Sequence, residues 1–178
     1  VVGAGWASGV GRRRICVVLI LLALAVAWLG RDRVLTAVGE LLIAEDPVVP
    51  VQLIVVSNAN VMADALEAAR LYGEGYGKDV LVPLWKRDPL IAEIRDLGIP
   101  YVGQDIASLI LARSGVPREA VHVLPAGVDG TQSEIAAVAG FAAEQRPESL
   151  LYVTSRSHTA RTRWLLGRAL PTTTRLLV

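Results

Sequence analysis

Hydrophobic positions fall into two regimes along the chain. Residues 15–30 carry no charged or strongly polar side chain, and Arg12, Arg13 and Arg14 stand directly before them. As a helix such a segment is about 24 Å long, against a hydrocarbon core of about 30 Å. Snorkelling of the flanking arginines and continuation through Val34 and Leu35 make up the difference, and Trp28 lies where an interfacial aromatic belongs. The segment reads as one transmembrane anchor that contacts the lipid bilayer. Three arginines before it against Arg31 and Arg33 after it make residues 1–14 a cytoplasmic tail and send the rest of the chain outside. The competing reading is a cleaved signal peptide, because Ala25-Val26-Ala27 has the small-x-small form of a cleavage site.

Residues 31–50 read as a juxtamembrane helix and linker. Leu35, Val38, Leu41 and Leu42 recur at helical spacing over 34–43, and Pro47 and Pro50 keep the following chain extended. From Val51 the pattern changes to short aliphatic runs that alternate with helical periodicity. Strands are predicted at 51–56, 79–83, 120–124, 149–154 and 175–178, with helices at 62–73, 89–97, 106–113, 133–145 and 158–169. Runs of that length separated by helices mean βαβ units. The fold class is therefore α/β: a three-layer, Rossmann-like, mostly parallel sheet over 51–178, preceded by one transmembrane helix. Ligands of such sheets bind beyond the carboxyl ends of the strands. Opening on Val1 and closing on the strand-like Leu176-Leu177-Val178, the chain reads as a piece of a longer protein, truncated at its C-terminus.

Composition narrows the chemistry. Apolar residues make up 53% and mean hydropathy is +0.47, an excess that the aliphatic segment accounts for. With 18 basic and 17 acidic residues the net charge is +1, which gives no field to hold nucleic acid. Cys16 is the sole cysteine and lies in the aliphatic run, so neither a disulfide framework nor a cysteine metal site can be built. His122 and His158 are too far apart in sequence to suggest a metal set, and no GxSxG nucleophile elbow is present.

Candidate site residues follow from the strand ends. After the first strand, Ser57-Asn58-Ala59-Asn60 lacks the glycines of a phosphate-cradling turn; Ser57 or Asn58 could donate to a ligand, or Asn60 could simply cap the next helix. Lys86 and Arg87 follow the second strand, either as an anion site or as a solvated loop with Asp88 as a cap. Thr131 and Glu134 have the spacing of a capping box, yet a carboxylate there also faces the crevice. After the fourth strand come Thr154, Ser155, Ser157, His158 and Arg161. There hydroxyls, an imidazole, a cation and the free amides of a helix end favour an anion site. His122 reads as a packed strand residue.

These pieces together resemble the YdcF/SanA/ElyC family of bacterial envelope proteins. The segments that carry the resemblance are Leu53-Ile54-Val55-Val56, Ala65-Leu66-Glu67-Ala68-Ala69-Arg70-Leu71-Tyr72, Gly115-Val116-Pro117, Thr131-Gln132-Ser133-Glu134 and Val153-Thr154-Ser155-Arg156-Ser157-His158-Thr159-Ala160-Arg161. The last two are the specific ones. The resemblance implies an anchored α/β domain in the bacterial inner membrane, a role in envelope or peptidoglycan homeostasis, and a nucleotide-like ligand such as S-adenosylmethionine. It carries a ligand site onto Thr131, Glu134, Thr154, Ser155, His158 and Arg161. The chain departs from the family pattern at Gln52, where the family has aspartate, at Ser57 to Asn60, where it has a glycine-rich turn, and at Asp64, where it has arginine. Three functional readings stand. The first is an extracytoplasmic domain binding a small anionic or nucleotide-like ligand. The second is a hydrolase or transferase with His158 and Glu134 as acid and base. The third is an interaction module that keeps the fold without the ligand, its protein partner unnamed by the sequence.

Overall fold

The computed structural model describes residues 7–86, 90–98, 106–125 and 127–178, which divide into two compact units between Leu41 and Leu42. The first unit is one helix, α1 (Ala7–Glu40). Within its stretch Arg14–Glu40 an 18-residue run reaches a mean hydropathy of 2.2 with none of it buried, so the described residues hold one helix long and apolar enough to cross a membrane. The 27 residues of that stretch rise about 40 Å, more than the roughly 30 Å hydrocarbon core requires. The sequence reading of separate helices at 15–30 and 34–43 is corrected here. Arg31, Asp32 and Arg33 interrupt the hydropathy but favour or tolerate helical backbone, so the helix runs on to Glu40. The guanidinium of Arg31 stacks over Trp28 at 3.6 Å, which joins the last aromatic of the apolar run to the first charge after it.

The second unit is an α/β domain whose described strands are β1 (Val51–Val56), β2 (Gly77–Val82), β3 (Val121–Val123), β4 (Ser149–Val153) and β5 (Arg175–Leu177). Its helices are α2 (Val61–Gly73), α3 (Leu90–Asp96), α4 (Ile106–Arg113), α5 (Thr131–Gln145) and α6 (Thr159–Ala169). The strands form one five-stranded sheet in the order β3-β2-β1-β4-β5, and every pairing is parallel. The fold class expected from the sequence is therefore the fold observed. The start of the predicted helix at 89–97 and residues 1–6 of the predicted tail fall outside the described residues.

β1 is the central strand, and the connections run away from it in both directions. Right-handed crossovers in opposite directions deposit their helices on opposite faces. Ile54, Val56, Val80, Val82, Leu151 and Val153 accordingly pack against Ala65, Ala68, Ala107 and Leu111 of α2 and α4. Leu53, Val55, Leu81, Leu150 and Tyr152 pack against Ile135 and Val138 of α5 and Leu166 of α6. Two buried faces explain why these strands are near-continuous aliphatic runs rather than alternating ones. Gly77 has a steric role at the start of β2, because a Cβ there would stand 2.4 Å from Ile54 Cδ1.

The domain begins at Leu42 rather than at β1, where the sequence pattern put it. A strap from Leu42 to Asp46 is bonded to the domain by main-chain and side-chain contacts. Leu42 O accepts from Ala160 N–H at 3.1 Å, and the Ala44 N–H donates to Thr159 Oγ1 at 2.8 Å. Asp46 exchanges main-chain and side-chain bonds with Val178 (2.9 and 3.1 Å) and pairs with Arg163. Periodicity cannot reveal such a strap, because its bonds are made by backbone groups and by threonine, aspartate and arginine side chains.

Candidate functional site

The order of the sheet reverses between β1 and β4, and a crevice of about 270 Å³ opens beside the carboxyl ends of those two strands. Ser57, Asn58 and Ala59 line it from the β1 end, Tyr152 and Thr154 from β4, and His158 and Thr162 from the chain that follows. Gly130, Thr131 and Glu134 enter from the start of α5, and Trp85 from an extension of the sheet in which it bridges to Val128.

Glu134 is the organising residue. It is 4% exposed, and its Oε1 accepts from the Asn58 N–H at 2.9 Å and from the Tyr152 hydroxyl at 2.7 Å. One carboxylate thus ties the turn after β1, the end of β4 and the first turn of α5. The long crossover makes this possible. To join β3 to β4 the chain must pass over β2 and β1, so α5 starts above the switch point. The two groups of residues converge although β3 and β4 are not neighbours, since β4 pairs with β1 and β3 is at the edge of the sheet.

The capping-box reading of Thr131 and Glu134 is also corrected. The cap is made by Ser133, whose Oγ accepts from the Asp129 N–H at 2.9 Å and the Gly130 N–H at 3.1 Å. Helix α5 begins at Thr131, which leaves Glu134 one residue too far along to reach back, and its side chain turns into the crevice instead. Asn60 makes no side-chain cap either. Asp64 Oδ2 accepts from the Asn60 N–H at 3.1 Å, so the carboxylate of α2 reaches back to the turn.

Burial raises the Glu134 carboxyl above the usual carboxylate range, against the pull of Tyr152, Asn58 and the charge of His158. Burial also lifts Asp64 to about 6; the Asn60 N–H opposes the shift and the nearby Glu134 adds to it. The Tyr152 hydroxyl is pushed up by burial and by Glu134, with Ser57 opposing the shift. The result is a buried run of polar groups, Ser57, Tyr152, Glu134 and Asp64, at the point where the sheet reverses. Thr154 adds a hydroxyl whose Oγ1 is buried with no partner among the described residues.

Of the residues singled out from the sequence, Ser57, Asn58, Thr131, Glu134, Thr154 and His158 line the crevice, whereas Ser155 and Arg161 do not. The Asn58 side chain is engaged elsewhere, donating to Pro83 O at 2.9 Å. Some of the amides at the start of α6 are already engaged, which leaves fewer for an anion at that helix end. His158 N–H goes to Ser155 O at 2.8 Å and Ala160 N–H to Leu42 O at 3.1 Å, because a 3₁₀ turn and the strap use them. Lys86 is exposed, and Arg87 and Asp88 lie outside the described residues. His122 pairs with Asp79 at 3.4 Å and packs on Phe141, away from the crevice. Among the described residues no group of acidic, cysteine and histidine side chains could hold a metal ion.

Tyr152, Asp64, Trp85 and Thr162 were missed by sequence reasoning. Tyr152 gave one signal, a lone hydroxyl inside the aliphatic run Leu150-Leu151-Tyr152-Val153. The molecule so defined is a doubly wound α/β domain behind a helix able to span a membrane. No protein family model, no curated protein and no solved structure matches the chain.

Proposed function

We propose that this chain is a single-pass protein of the bacterial inner membrane whose extracytoplasmic α/β domain binds a small anionic or nucleotide-like ligand, in envelope or peptidoglycan maintenance. The envelope setting rests on the resemblance to the YdcF/SanA/ElyC family. The ligand site rests on one observation, the buried Glu134 that ties β1, β4 and α5 around a crevice that Thr131, Thr154 and His158 also line.

A second reading, a hydrolase or transferase, is favoured by a raised Glu134 carboxyl that shares the crevice with His158. No hydrogen bond joins the two among the described residues. A thermal-shift screen of nucleosides, nucleotides and S-adenosylmethionine on the full chain in detergent tests the proposal. A ligand at 100 times its Kd stabilises by about 2.7 kcal/mol. That gain is expected to disappear in Thr154→Val and His158→Ala. Gains that survive in both variants would place binding elsewhere.

A further inference from the structure

Several main-chain donors around the crevice are already used by the chain. The turn after the first strand is where a Rossmann-like domain offers amides to a phosphate. Here the Asn58 N–H is taken by Glu134 Oε1 at 2.9 Å and the Asn60 N–H by Asp64 Oδ2 at 3.1 Å. Across the crevice, Ser155 O and Leu42 O take the amides of His158 and Ala160. The opening turn of α5 carries Glu134 itself, so a carboxylate already answers its dipole. No lysine or arginine among the described residues lines the space.

Acceptors and an aromatic surface are available beside the side-chain donors Thr131 and His158. Oε1 of Glu134 is occupied, but no hydrogen bond is made to its Oε2 among the described residues. Thr154 Oγ1 is buried without a partner. Trp85 lines the same crevice and is 39% exposed, an indole face that a planar ring can cover.

We infer that the crevice takes an unphosphorylated ligand with a planar ring and sugar-like hydroxyls. This rests on the reading of the crevice as a ligand site. The ring lies on Trp85, and a ligand hydroxyl donates to Glu134 Oε2. Glu134 also excludes phosphoryl groups, because it stands on the amide where one would bind and a second anion beside it is repelled.

Adenosine and AMP separate these requirements, since they share a ring and a pair of hydroxyls and differ by one phosphoryl group. Calorimetry on the full chain in detergent is expected to give saturable adenosine binding, with AMP at least tenfold weaker. Millimolar inorganic phosphate should not displace adenosine. Trp85→Ala should weaken adenosine tenfold or more. Glu134→Gln should weaken adenosine while narrowing the gap between the two probes to less than threefold, since it removes the charge and keeps the Oε1 acceptor. AMP binding as tightly as adenosine, or a gap unchanged in Glu134→Gln, overturns this inference and leaves the ligand site standing. If neither probe binds the unmodified protein, the ligand-site reading fails and the inference falls with it.

Discussion

The backbone N–H of Asn58 donates to Glu134 Oε1 at 2.9 Å, a bond made across 76 positions of sequence. A side chain from the third crossover thereby occupies the amide that follows the first strand. Most of the chemistry of this domain turns on that contact.

The first consequence concerns stability. Glu134→Ala removes the acceptor shared by the Asn58 N–H and the Tyr152 hydroxyl. Each donor left without a partner costs about 1–3 kcal/mol, offset in part because a buried carboxylate is also removed. A net loss of about 2 kcal/mol is expected in urea unfolding at pH 7. Glu134→Gln keeps an acceptor at Oε1 and should be at least as stable as the parent. Equal losses in both variants would mean that the charge, not the acceptor, holds the site together.

Asp64 gives a pH signature. Its folded pKa is about 6 against an ordinary value of 3.8, so burial disfavours the charged form. Between those values the native state binds more protons than the unfolded one, and stability therefore falls as pH rises from about 4 to about 6. Asp64→Asn can still accept from the Asn60 N–H and has no charge to bury. It should be more stable than the parent by about 2 kcal/mol above pH 7, with the difference vanishing near pH 4. Melting temperatures measured across this range decide the point; a difference that grows toward low pH would contradict it.

The strap offers a third test. Thr159 Oγ1 accepts from the Ala44 N–H at 2.8 Å and donates to Arg156 O at 2.7 Å, next to His158 in the chain. Thr159→Val leaves both without that partner in a residue that is 3% exposed, at an expected cost of about 1–2 kcal/mol. Hydrogen exchange at Ala44 should quicken while the amides of β1 stay protected. Uniform loss of protection would show that the strap is not a local unit.

Membrane insertion is checked by fractionation. The full chain is expected in the pellet and resistant to carbonate extraction, because α1 is a continuous helix with one long uncharged run. Leu22→Arg puts a charge near the middle of that run, at about 2.5–3.5 kcal/mol against insertion, and should shift protein to the soluble fraction. A soluble mature form beginning near Trp28 would instead identify a cleaved signal peptide.

How much of this was legible in sequence depends on the range of the interaction. The aliphatic runs at Val51–Val56 and Ser149–Val153 announced a doubly buried parallel sheet, because burial on both faces leaves a local mark. Strand order left no such mark. Nothing between Val121 and Val153 says that β4 pairs with β1 rather than β3. Glu134 was legible as a candidate but its role was not, since a one-residue shift in the start of α5 decides between cap and crevice. Arg161 and Ser155 follow the expected strand yet lie outside the crevice, because a 3₁₀ turn at Arg156–His158 precedes α6. Asp64 was read only as a departure from the family pattern, and Tyr152 as an ordinary strand residue. Their significance is long-range, made by Glu134 approaching both.

The most direct test is hydrogen exchange of the full chain in detergent, with and without saturating adenosine, read by mass spectrometry. The expected result is simultaneous protection of three separate segments, around Ser57 to Asn60, Thr131 to Glu134 and Thr154 to Thr162, with no change around Asp79 and His122. Protection confined to the Asp79–His122 side of the sheet, or none at all, would contradict a ligand site at the switch point.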